Sequence, residues 1–435
     1  MRKSHLVYAD LHIHGRYSRA TSENMDIHSI IRFAKLKGLN LVGTGDFTHP
    51  MWKRELQNHL QDSVGTGLYT CREDESVLFI VTAEVCTVFN VLGKAKKIHH
   101  LLICPSLEVA DQVSDTLTKY GSLEVDGRPT LQVSAAELVE AVRQLSPDIM
   151  VIPAHVWTPW FSLFGSVNGF DAIEDCYEDQ TSHIVAIETG LSSDPPMNWR
   201  LSALDRFTLV SNSDAHSPYP YRIGREANVF RLDKVTFKEV TEVISLRDSK
   251  RFLFTVETDP AYGKYHWSGH RSCNFSVPAL ESIKLNGICS ICRKEMTKGV
   301  EERVERLADR PRGFRPPTAI GFVHLLPLQE IIAAVRNIDP SSSTVWREYM
   351  SLIQIFGDEY SVLLASEDEL RRAAEPRLAE AIVRIRNDEV VVKPGYDGVY
   401  GRIDLATDKK TLADKPLGQV EVQRKLLDFN LGWKT

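Results

Sequence analysis

The sequence contains no apolar run that approaches the length of about 20 residues needed by a membrane-spanning helix. Its 7 cysteines in 435 residues are too few, and odd in number, for a disulfide-based scaffold, so reduced thiols are expected. The net charge is only −6, which gives no support to non-specific nucleic-acid binding through bulk electrostatics. These absences argue against a membrane protein and a small secreted domain, and they predict a cytoplasmic protein with no membrane partner.

The residues that are present predict a globular protein with two or three cores, since 43% are hydrophobic and 25% are charged. As far as about residue 230, short β-rich apolar runs alternate with amphipathic segments, which is typical of βα units in a parallel sheet or barrel. A capping box, Ser134 with Glu137, predicts the start of one helix. The runs that predict strands are 5–10, 39–44, 77–83, 101–104, 149–153, 184–188 and 207–212.

Residue types that bind metals follow the C-terminal ends of these predicted strands, where barrel folds assemble their active sites. His12 and His14 are spaced by two, so both imidazoles point to one side of an extended chain and can chelate one ion. The same spacing relates Asp214 to His216. The full set is Asp10, His12, His14, Asp46, His49, Glu84, His155, Asp214 and His216, and one of the neighbours His99 and His100 is also expected to face the barrel mouth.

So many imidazoles and carboxylates would be costly to bury together without cations, so the set predicts a site for several metal ions. The mixed nitrogen and oxygen donors suit Zn²⁺, Mn²⁺ or Fe²⁺ better than Ca²⁺ or Mg²⁺. Neighbouring ions activate water and clamp the oxygens of an in-line displacement at phosphorus. Phosphate-ester hydrolysis is therefore the leading expectation, and amide hydrolysis on a similar barrel is the alternative.

These residues resemble the motifs of the polymerase and histidinol phosphatase (PHP) domain, a distorted (β/α)7 barrel. The motifs are Asp-Leu-His-Ile-His at 10–14, Gly-Thr-Gly-Asp at 43–46, Ala-Glu at 83–84, His100, Pro-Ala-His at 153–155 and Ser-Asp-Ala-His at 213–216. The resemblance implies two or three catalytic divalent ions (Zn, Mn or Mg) and catalytic roles for Glu84, His155 and Asp214. It assigns the ligands as His12, His14, Glu84 and Asp214 for one ion, Glu84, His100 and His155 for a second, and Asp46 with His216 for a third.

A separate structural zinc site is predicted farther along the chain. Cys289 and Cys292 form a C-x-x-C, and His270 with Cys273 forms an H-x-x-C upstream of it, at the separation found in zinc ribbons. His266 is an alternative fourth ligand, although the tighter spacing favours His270. A closed site of four ligands has no open position for a substrate, so this zinc is expected to stabilise its module.

Over essentially its whole length the chain resembles the endonuclease Q family. The resemblance is carried by Gly-Lys-Tyr-His at 263–266, Leu-Asn-Gly-Ile-Cys at 285–289, Leu-Ala-Asp-Arg-Pro at 307–311 and Pro-Gly-Tyr-Asp-Gly-Val-Tyr-Gly at 394–401. It implies an α/β protein with a PHP barrel at 1–250, a small zinc-ribbon-like module at 251–310 and a helical C-terminal domain at 311–435. It also implies a partner, damaged DNA, that is cut on the 5′ side of uracil, hypoxanthine, xanthine or an abasic site. Protein partners in replication or repair are left open.

Side chains close to the expected ligands are candidates for holding DNA. Trp157, Trp160 and Phe161 lie in one loop and are expected to stack on bases or wedge between them, with ordinary loop packing as the alternative. Arg222 and Arg225 are expected to contact phosphates, with a plain surface role as the alternative. Two other functions stay open, a PHP-type small-molecule phosphomonoesterase and a non-catalytic DNA-binding module.

Overall fold

The structure is a computed structural model that describes residues 4–408. The strands are β1 (His5–Asp10), β2 (Leu41–Gly43), β3 (Leu60–Ser63), β4 (Leu68–Cys71), β5 (Leu78–Val91), β6 (Lys94–Cys104), β7 (Thr130–Leu131), β8 (Met150–Pro153), β9 (Ala186–Glu188), β10 (Thr208–Val210), β11 (Ala227–Leu232), β12 (Phe252–Glu257), β13 (Ser268–His270), β14 (Phe275–Val277), β15 (Gly321–His324), β16 (Val390–Lys393) and β17 (Arg402–Asp408). The α-helices are α1 (Ile27–Lys37), α2 (Pro50–His59), α3 (Leu107–Leu117), α4 (Ala135–Leu145), α5 (Glu174–Tyr177), α6 (Pro195–Asn198), α7 (Phe237–Leu246), α8 (Ala279–Lys284), α9 (Val300–Leu307), α10 (Leu328–Arg336), α11 (Ser343–Phe356), α12 (Glu359–Leu364), α13 (Glu367–Ala373) and α14 (Pro376–Arg386). Within residues 4–408, no helix is long and apolar enough to cross a membrane.

An 11-stranded mixed sheet forms the centre of the fold, and its main path runs β15-β12-β11-β1-β2-β5-β4-β3. β1, β2 and β5 are parallel, and β9 with β10 forms a separate parallel pair, as the βα pattern predicts. β11 is antiparallel to both of its neighbours, and β6 is antiparallel to β5 and β8. The predicted α/β class is confirmed, but the sheet is mixed, so the expectation of parallel strands holds only in part.

The antiparallel hairpin of β5 and β6 has a local cause. Leu92 and Gly93 connect the two strands, and both have positive φ angles, 50° and 76°. Two residues in this conformation make the tight turn whose twist matches that of adjacent antiparallel strands. The chain therefore returns beside β5 directly, without the crossover helix that a parallel strand requires.

Local signals set the helices that surround the sheet. The Asp26 side chain accepts a hydrogen bond from Ser29 N at the start of α1, and Gly38 ends the helix with φ 94°. The capping box of Ser134 and Glu137 at the start of α4 is confirmed, since both of its hydrogen bonds are present. Each of the runs expected to be a strand overlaps an observed strand.

The C-terminal part is less purely helical than expected. β15 lies in that stretch and pairs in parallel with β12, and β16 with β17 forms a separate hairpin. The helical part itself is interrupted, since α13 and α14 are separated by a break before Pro376, whose ring lacks the N–H that helix continuation needs. The division into domains stays a prediction, and residues 409–435 of the third domain lie outside the described residues.

A buried ion pair joins the barrel to the C-terminal helices. Lys37, at the end of α1, donates from Nζ to Glu359 Oε1 at 2.7 Å and to the carbonyl oxygen of Pro220 at 3.0 Å. Leu328 N, at the start of α10, donates to the same Glu359 oxygen at 2.9 Å. Both charged side chains are almost completely buried, so each depends on the other for compensation.

Candidate active site

Side chains from three parts of the barrel converge on a first group of ligands, His12, His14, Glu84 and Asp214, whose donor atoms all lie within 4.8 Å of one another. The two histidines follow β1, Glu84 lies within β5, and Asp214 follows β10. His14 Nε2 lies 3.0 Å from Asp214 Oδ1 and 3.3 Å from Glu84 Oε2. Donors so close together fit a single ion with bonds of about 2.0–2.2 Å.

A second group of ligands, Glu84, His99 and His155, lies beside the first. Glu84 Oε1 is 2.7 Å from His99 Nδ1 and 2.9 Å from His155 Nε2, and the two imidazole nitrogens are 3.2 Å apart. Glu84 therefore turns one oxygen to each group, the geometry of a carboxylate that bridges two ions. Its place at the centre agrees with the bridging role that the motifs implied.

His99 occupies the position that His100 was expected to take. His100 points to the opposite face of β6, where Nε2 lies 2.9 Å from Thr87 Oγ1 and Nδ1 lies 2.9 Å from the Tyr177 hydroxyl. Successive side chains of a strand alternate between faces, so only one of the two neighbouring histidines can reach Glu84. The assignment of His100 as a ligand is corrected, because both of its ring nitrogens are engaged by Thr87 and Tyr177 on the other face of the strand.

Asp46 supports a ligand and does not face the ions. Its Oδ1 lies 3.0 Å from His14 Nδ1, and its Oδ2 accepts from Gly15 N at 2.6 Å and from Ser18 Oγ at 2.9 Å. A carboxylate on the far nitrogen of a metal-binding imidazole sets its tautomer and its orientation. The geometry therefore differs from the prediction that Asp46 holds a third ion, because hydrogen bonds occupy both of its oxygens.

Glu188 supports His12 in the same way, and the sequence motifs missed it. Both of its carboxylate oxygens lie 3.1 Å from His12 Nδ1, and Oε2 also accepts from the backbone N–H of His155 at 2.8 Å. Glu188 is the last residue of β9 and is completely buried. A carboxylate at the end of a predicted strand was the available signal, since 184–188 had been identified as a strand.

His216 and His49 lie close to the ligand groups without joining either. The His216 ring centroid is 4.3 Å from that of His14, and its Nδ1 lies 3.0 Å from the carbonyl oxygen of Asp214. His49 accepts from Met51 N and so caps α2. The role of His216 at a third ion stays a prediction, whereas His49 has a structural role at a helix terminus.

Backbone strain is concentrated at the ligands. Asp46, His155 and Asp214 have φ angles of 43°, 33° and 47°, in the left-handed region. Such a conformation costs a residue other than glycine about 1–3 kcal/mol and persists where the surroundings enforce it. Gly190 packs against His155, since a Cβ at this glycine would lie 2.5 Å from His155 Cβ. The fold therefore holds these side chains in place at the expense of local stability.

The pKa values of two carboxylates in the site are lowered. Burial raises the pKa of Glu84, but the electrostatic effects of the His99 ring and of the Arg128 guanidinium outweigh it, and the pKa lies well below the usual range. For Asp214, burial is likewise outweighed by the hydrogen bond with His14, which lowers the pKa. Arg128 donates from Nη1 to Glu84 Oε2 at 3.0 Å, so a guanidinium also faces the site. The motifs carried no signal for this arginine, which lies in the loop before β7.

The predicted zinc site comprises His270, Cys273, Cys289 and Cys292, whose donor atoms lie within 4.8 Å of one another. His270 Nδ1 is 3.1 Å from Cys273 Sγ and 3.2 Å from Cys292 Sγ. Burial raises the pKa of the Cys289 thiol, but the backbone N–H groups of Cys292 and Ile291 outweigh it and lower the pKa to about 7. The set fits a tetrahedral zinc site with His270, rather than His266, as the fourth ligand.

A lesion-specific endonuclease from Pyrococcus furiosus, PfuEndoQ, has a crystal structure that is similar to this fold over 94% of this chain and 99% of that chain. The TM-score is 0.82 and the sequence identity is 34%. The chain belongs to the endonuclease Q family. With the two ligand groups that share Glu84, this membership makes the chain a metal-dependent hydrolase.

The chain is also similar to a second endonuclease Q structure and to two further proteins. A structure of endonuclease Q in complex with a 27-mer duplex that has an abasic lesion at the active site matches with 34% identity and a TM-score of 0.82, over 94% of this chain and 100% of that chain. The protein YqxK of Bacillus subtilis is 28% identical over 91% of this chain and 99% of its own length. The protein MJ0043 of Methanocaldococcus jannaschii is 32% identical over 58% of this chain, which spans only 32% of that protein. A family model described as the MJ0043 C-terminal domain matches residues 327–389.

The aromatic loop of this endonuclease Q member contains both buried and exposed rings. Trp157 is completely buried, and its Nε1 donates to Asn198 Oδ1 at 2.8 Å, so its place is structural. Trp160 and Phe161 are 36% and 40% exposed. Phe161 lies 5.2 Å from the ring of the ligand His99, which places an accessible aromatic surface beside the second group. Trp157 therefore cannot stack on a base in this conformation.

Arg222 and Arg225 line a cavity that is open to solvent. Arg225 is anchored, since Nε and Nη2 donate to the carbonyl oxygen of Ser213 at 3.1 and 2.8 Å. Ser213 directly precedes Asp214, so Arg225 is fixed to the segment that contains this candidate ligand. The other lining residues are Leu191, Thr258, Tyr262, Gly263, Pro327, Glu330 and Tyr400.

Proposed function

We propose that this member of the endonuclease Q family is a DNA repair endonuclease that hydrolyses the phosphodiester on the 5′ side of a deaminated base (uracil, hypoxanthine or xanthine) or an abasic site. The observation that carries the proposal is the position of Glu84, which turns one oxygen to each of two ligand groups. The similarity over the whole length to a lesion-specific endonuclease supports DNA as the substrate. A cytoplasmic location is also proposed, because the sequence has no apolar run of the length that a membrane span needs.

The residues of the site fit two divalent ions, for which Zn²⁺, Mn²⁺ and Mg²⁺ are the candidates. When bound, ions in these positions activate water and neutralise the charge that develops on the phosphate oxygens. Asp46 and Glu188 keep the imidazoles of His14 and His12 in the orientation required for binding. A third ion, for which His216 is the remaining candidate ligand, belongs to the proposal as well.

Arg128 is proposed to contact the scissile phosphate. Its side chain is about a quarter exposed, and it already pairs with Glu84, at the boundary between the two groups. Guanidinium groups bind phosphate oxygens in a fixed geometry, and a preorganised positive charge stabilises the charge that develops in the transition state. This arginine would hold a non-bridging oxygen while His12, His14 and Asp214 hold their ion on the other side.

The DNA is proposed to enter beside the loop that contains Trp160 and Phe161. The exposed ring of Phe161 has Lys97 Nζ 5.3 Å from its centroid, so that an aromatic surface and a positive charge lie together. This combination suits single-stranded or unstacked nucleic acid. The cavity lined by Arg222 and Arg225 is the proposed pocket for a nucleotide that has been flipped out of the duplex.

The zinc module is proposed to support this surface. Trp160 packs edge-on against Tyr265, with ring centroids 5.2 Å apart, and Tyr265 lies in the segment that leads to the zinc ligands. A structural zinc bound by His270 and the three cysteines would fix this segment, and through it the position of the Trp160 ring. The module would therefore act on DNA binding and not on the chemical step.

Nicking of labelled DNA tests the proposal. The purified protein is incubated with Mn²⁺, Mg²⁺ or Zn²⁺ and with DNA containing uracil, hypoxanthine or an abasic site, with undamaged DNA, and with a phosphate monoester. We expect a nick on the 5′ side of the lesion, its loss in Asp214→Asn, and normal nicking by Asp115→Asn, which changes an exposed aspartate of α3. Release of phosphate from the monoester alone would identify a phosphomonoesterase. Binding of DNA without cleavage in the presence of any of the three ions would identify a non-catalytic module.

A further inference from the structure

A third group of metal-binding residue types lies where the barrel meets the C-terminal part of the chain. Asp259 follows β12, His324 is the last residue of β15, and Asp388 lies between α14 and β16. One donor atom from each of these three residues lies within 4.8 Å of the other two. We call them the junction group, and they share no residue with the two ligand groups around Glu84 or with the zinc module.

His324 is the distinctive member of the junction group. Its side chain is only 9% exposed, and Nε2 lies 3.2 Å from Asp194 Oδ2. Nδ1 has no hydrogen-bond partner among residues 4–408. A buried ring nitrogen without a partner is unfavourable, because it has lost the hydrogen bond that water supplied. In the neutral ring, with one N–H facing Asp194, the lone pair of the other nitrogen is available to an ion.

The charges around His324 favour a cation. Asp194 lies against the His324 ring in addition to Asp259 and Asp388, so three carboxylates surround one buried imidazole. Three carboxylates around one imidazole leave an excess of negative charge even when the imidazole is protonated, and a divalent ion would compensate it more completely.

We propose that Asp259, His324 and Asp388 bind a divalent transition-metal ion, Zn²⁺ or Mn²⁺, at the junction of the barrel and the C-terminal segment. One imidazole and two carboxylates form a mixed donor set that suits these ions better than Ca²⁺ or Mg²⁺. Ligands bound at about 2.0–2.2 Å lie roughly 3–4 Å from one another, so the observed group needs only a small contraction. Asp259 Oδ1 accepts from Ala261 N at 2.9 Å, which already orients this carboxylate.

The ion would connect segments that are far apart in the sequence. Asp259 follows the end of β12, His324 is the last residue of the paired strand β15, and Asp388 precedes the hairpin of β16 and β17. A metal that binds the folded chain and not the unfolded chain stabilises the fold, and bridging distant segments strengthens the connection between them. The role of this site would be structural, and it would be independent of the ions at Glu84.

Anomalous diffraction from crystals of the native protein soaked in Zn²⁺ tests the site without any substitution. We expect a peak between the His324 imidazole and the carboxylates of Asp259 and Asp388. The peak at the zinc module is the internal positive control. A clear peak at the zinc module without one at the junction group would overturn the proposal.

Metal binding in solution provides a second test. The full chain is stripped with a chelator, dialysed against Zn²⁺ or Mn²⁺, and its metal content is measured by mass spectrometry. We expect His324→Gln and Asp259→Asn to bind one equivalent fewer than the native chain, and His183→Gln, which changes an exposed histidine, to bind the same amount. Equal metal content in all four proteins with both ions would overturn the proposal, and unchanged circular dichroism shows that the variants are folded.

Discussion

Replacement of Glu188 by glutamine is the sharpest test of how the site is held together. Every hydrogen-bond partner of its two oxygens is a donor. Oε1 accepts from Asn212 Nδ2 at 2.8 Å, Oε2 accepts from the backbone N–H of His155 at 2.8 Å, and both lie 3.1 Å from His12 Nδ1. A glutamine of the same size has an NH₂ group in place of one oxygen. In either orientation of the amide, the NH₂ group faces another hydrogen-bond donor, so one hydrogen bond is lost.

The expected magnitude follows from that mismatch. Hydrogen bonds to a charged group are worth about 1.5–3 kcal/mol each, and one of them is lost in Glu188→Gln. Since each 1.4 kcal/mol is a factor of about ten, metal affinity is expected to fall roughly 10- to 150-fold. The loss acts on the first group through His12 and on the second group through the backbone of His155. Both ions are therefore expected to bind more weakly.

The assay measures nicking of lesion-containing DNA as a function of Mn²⁺ concentration. For Glu188→Gln we expect the curve to move to higher Mn²⁺ and the rate to recover, at least in part, at saturation. Glu178→Gln, which changes an exposed glutamate at the start of the short 3₁₀ helix Glu178–His183, is the matched control. A Glu188→Gln enzyme with the native metal dependence and rate would refute the reasoning that this carboxylate positions the ligands.

Four other substitutions test separate parts of the structure. His99→Ala should reduce nicking at least about tenfold at limiting metal, because it removes a ligand. His100→Ala should lower the melting temperature and leave the metal dependence of nicking unchanged. The opposite result would restore His100 as the ligand. Lys37→Met should lower the free energy of unfolding in urea by roughly 3–5 kcal/mol because it leaves Glu359 buried without its partner, and a loss below about 1 kcal/mol would contradict this. Cys289→Ser should remove one zinc from the protein by elemental analysis, and unchanged zinc content would exclude the predicted zinc site.

Local patterns in the sequence were sufficient for part of the site. His12 and His14 could be identified because their spacing and their position after a strand both point to one ion, and the zinc ligands could be identified because they lie in a short stretch. The strands were also accessible, since apolar runs bounded by turns are a local signal. The mixture of parallel and antiparallel strands in the sheet could not be predicted, because it depends on which strands become neighbours.

The distinction between His99 and His100 shows where local reasoning ends. The two histidines are neighbours in the same strand, and their side chains point to opposite faces of β6. The pairing with β5 decides which face turns toward Glu84, because it sets Cys86 opposite His99 and Val85 opposite His100. A shift of the register by one residue would exchange the two roles.

The amino-acid sequence alone predicted where the strands of the barrel lie, the kinds of donor atoms at the site, the candidate zinc ligands and the resemblance to a nuclease family, because each is expressed over a few neighbouring residues. Only the tertiary structure decided which donors meet. Glu188 reaches His12, Arg128 reaches Glu84, and His324 joins Asp259 and Asp388 across long stretches of chain. Such contacts are set by strand order, register and the packing of the C-terminal segment on the barrel, and these depend on the free energy of the whole fold.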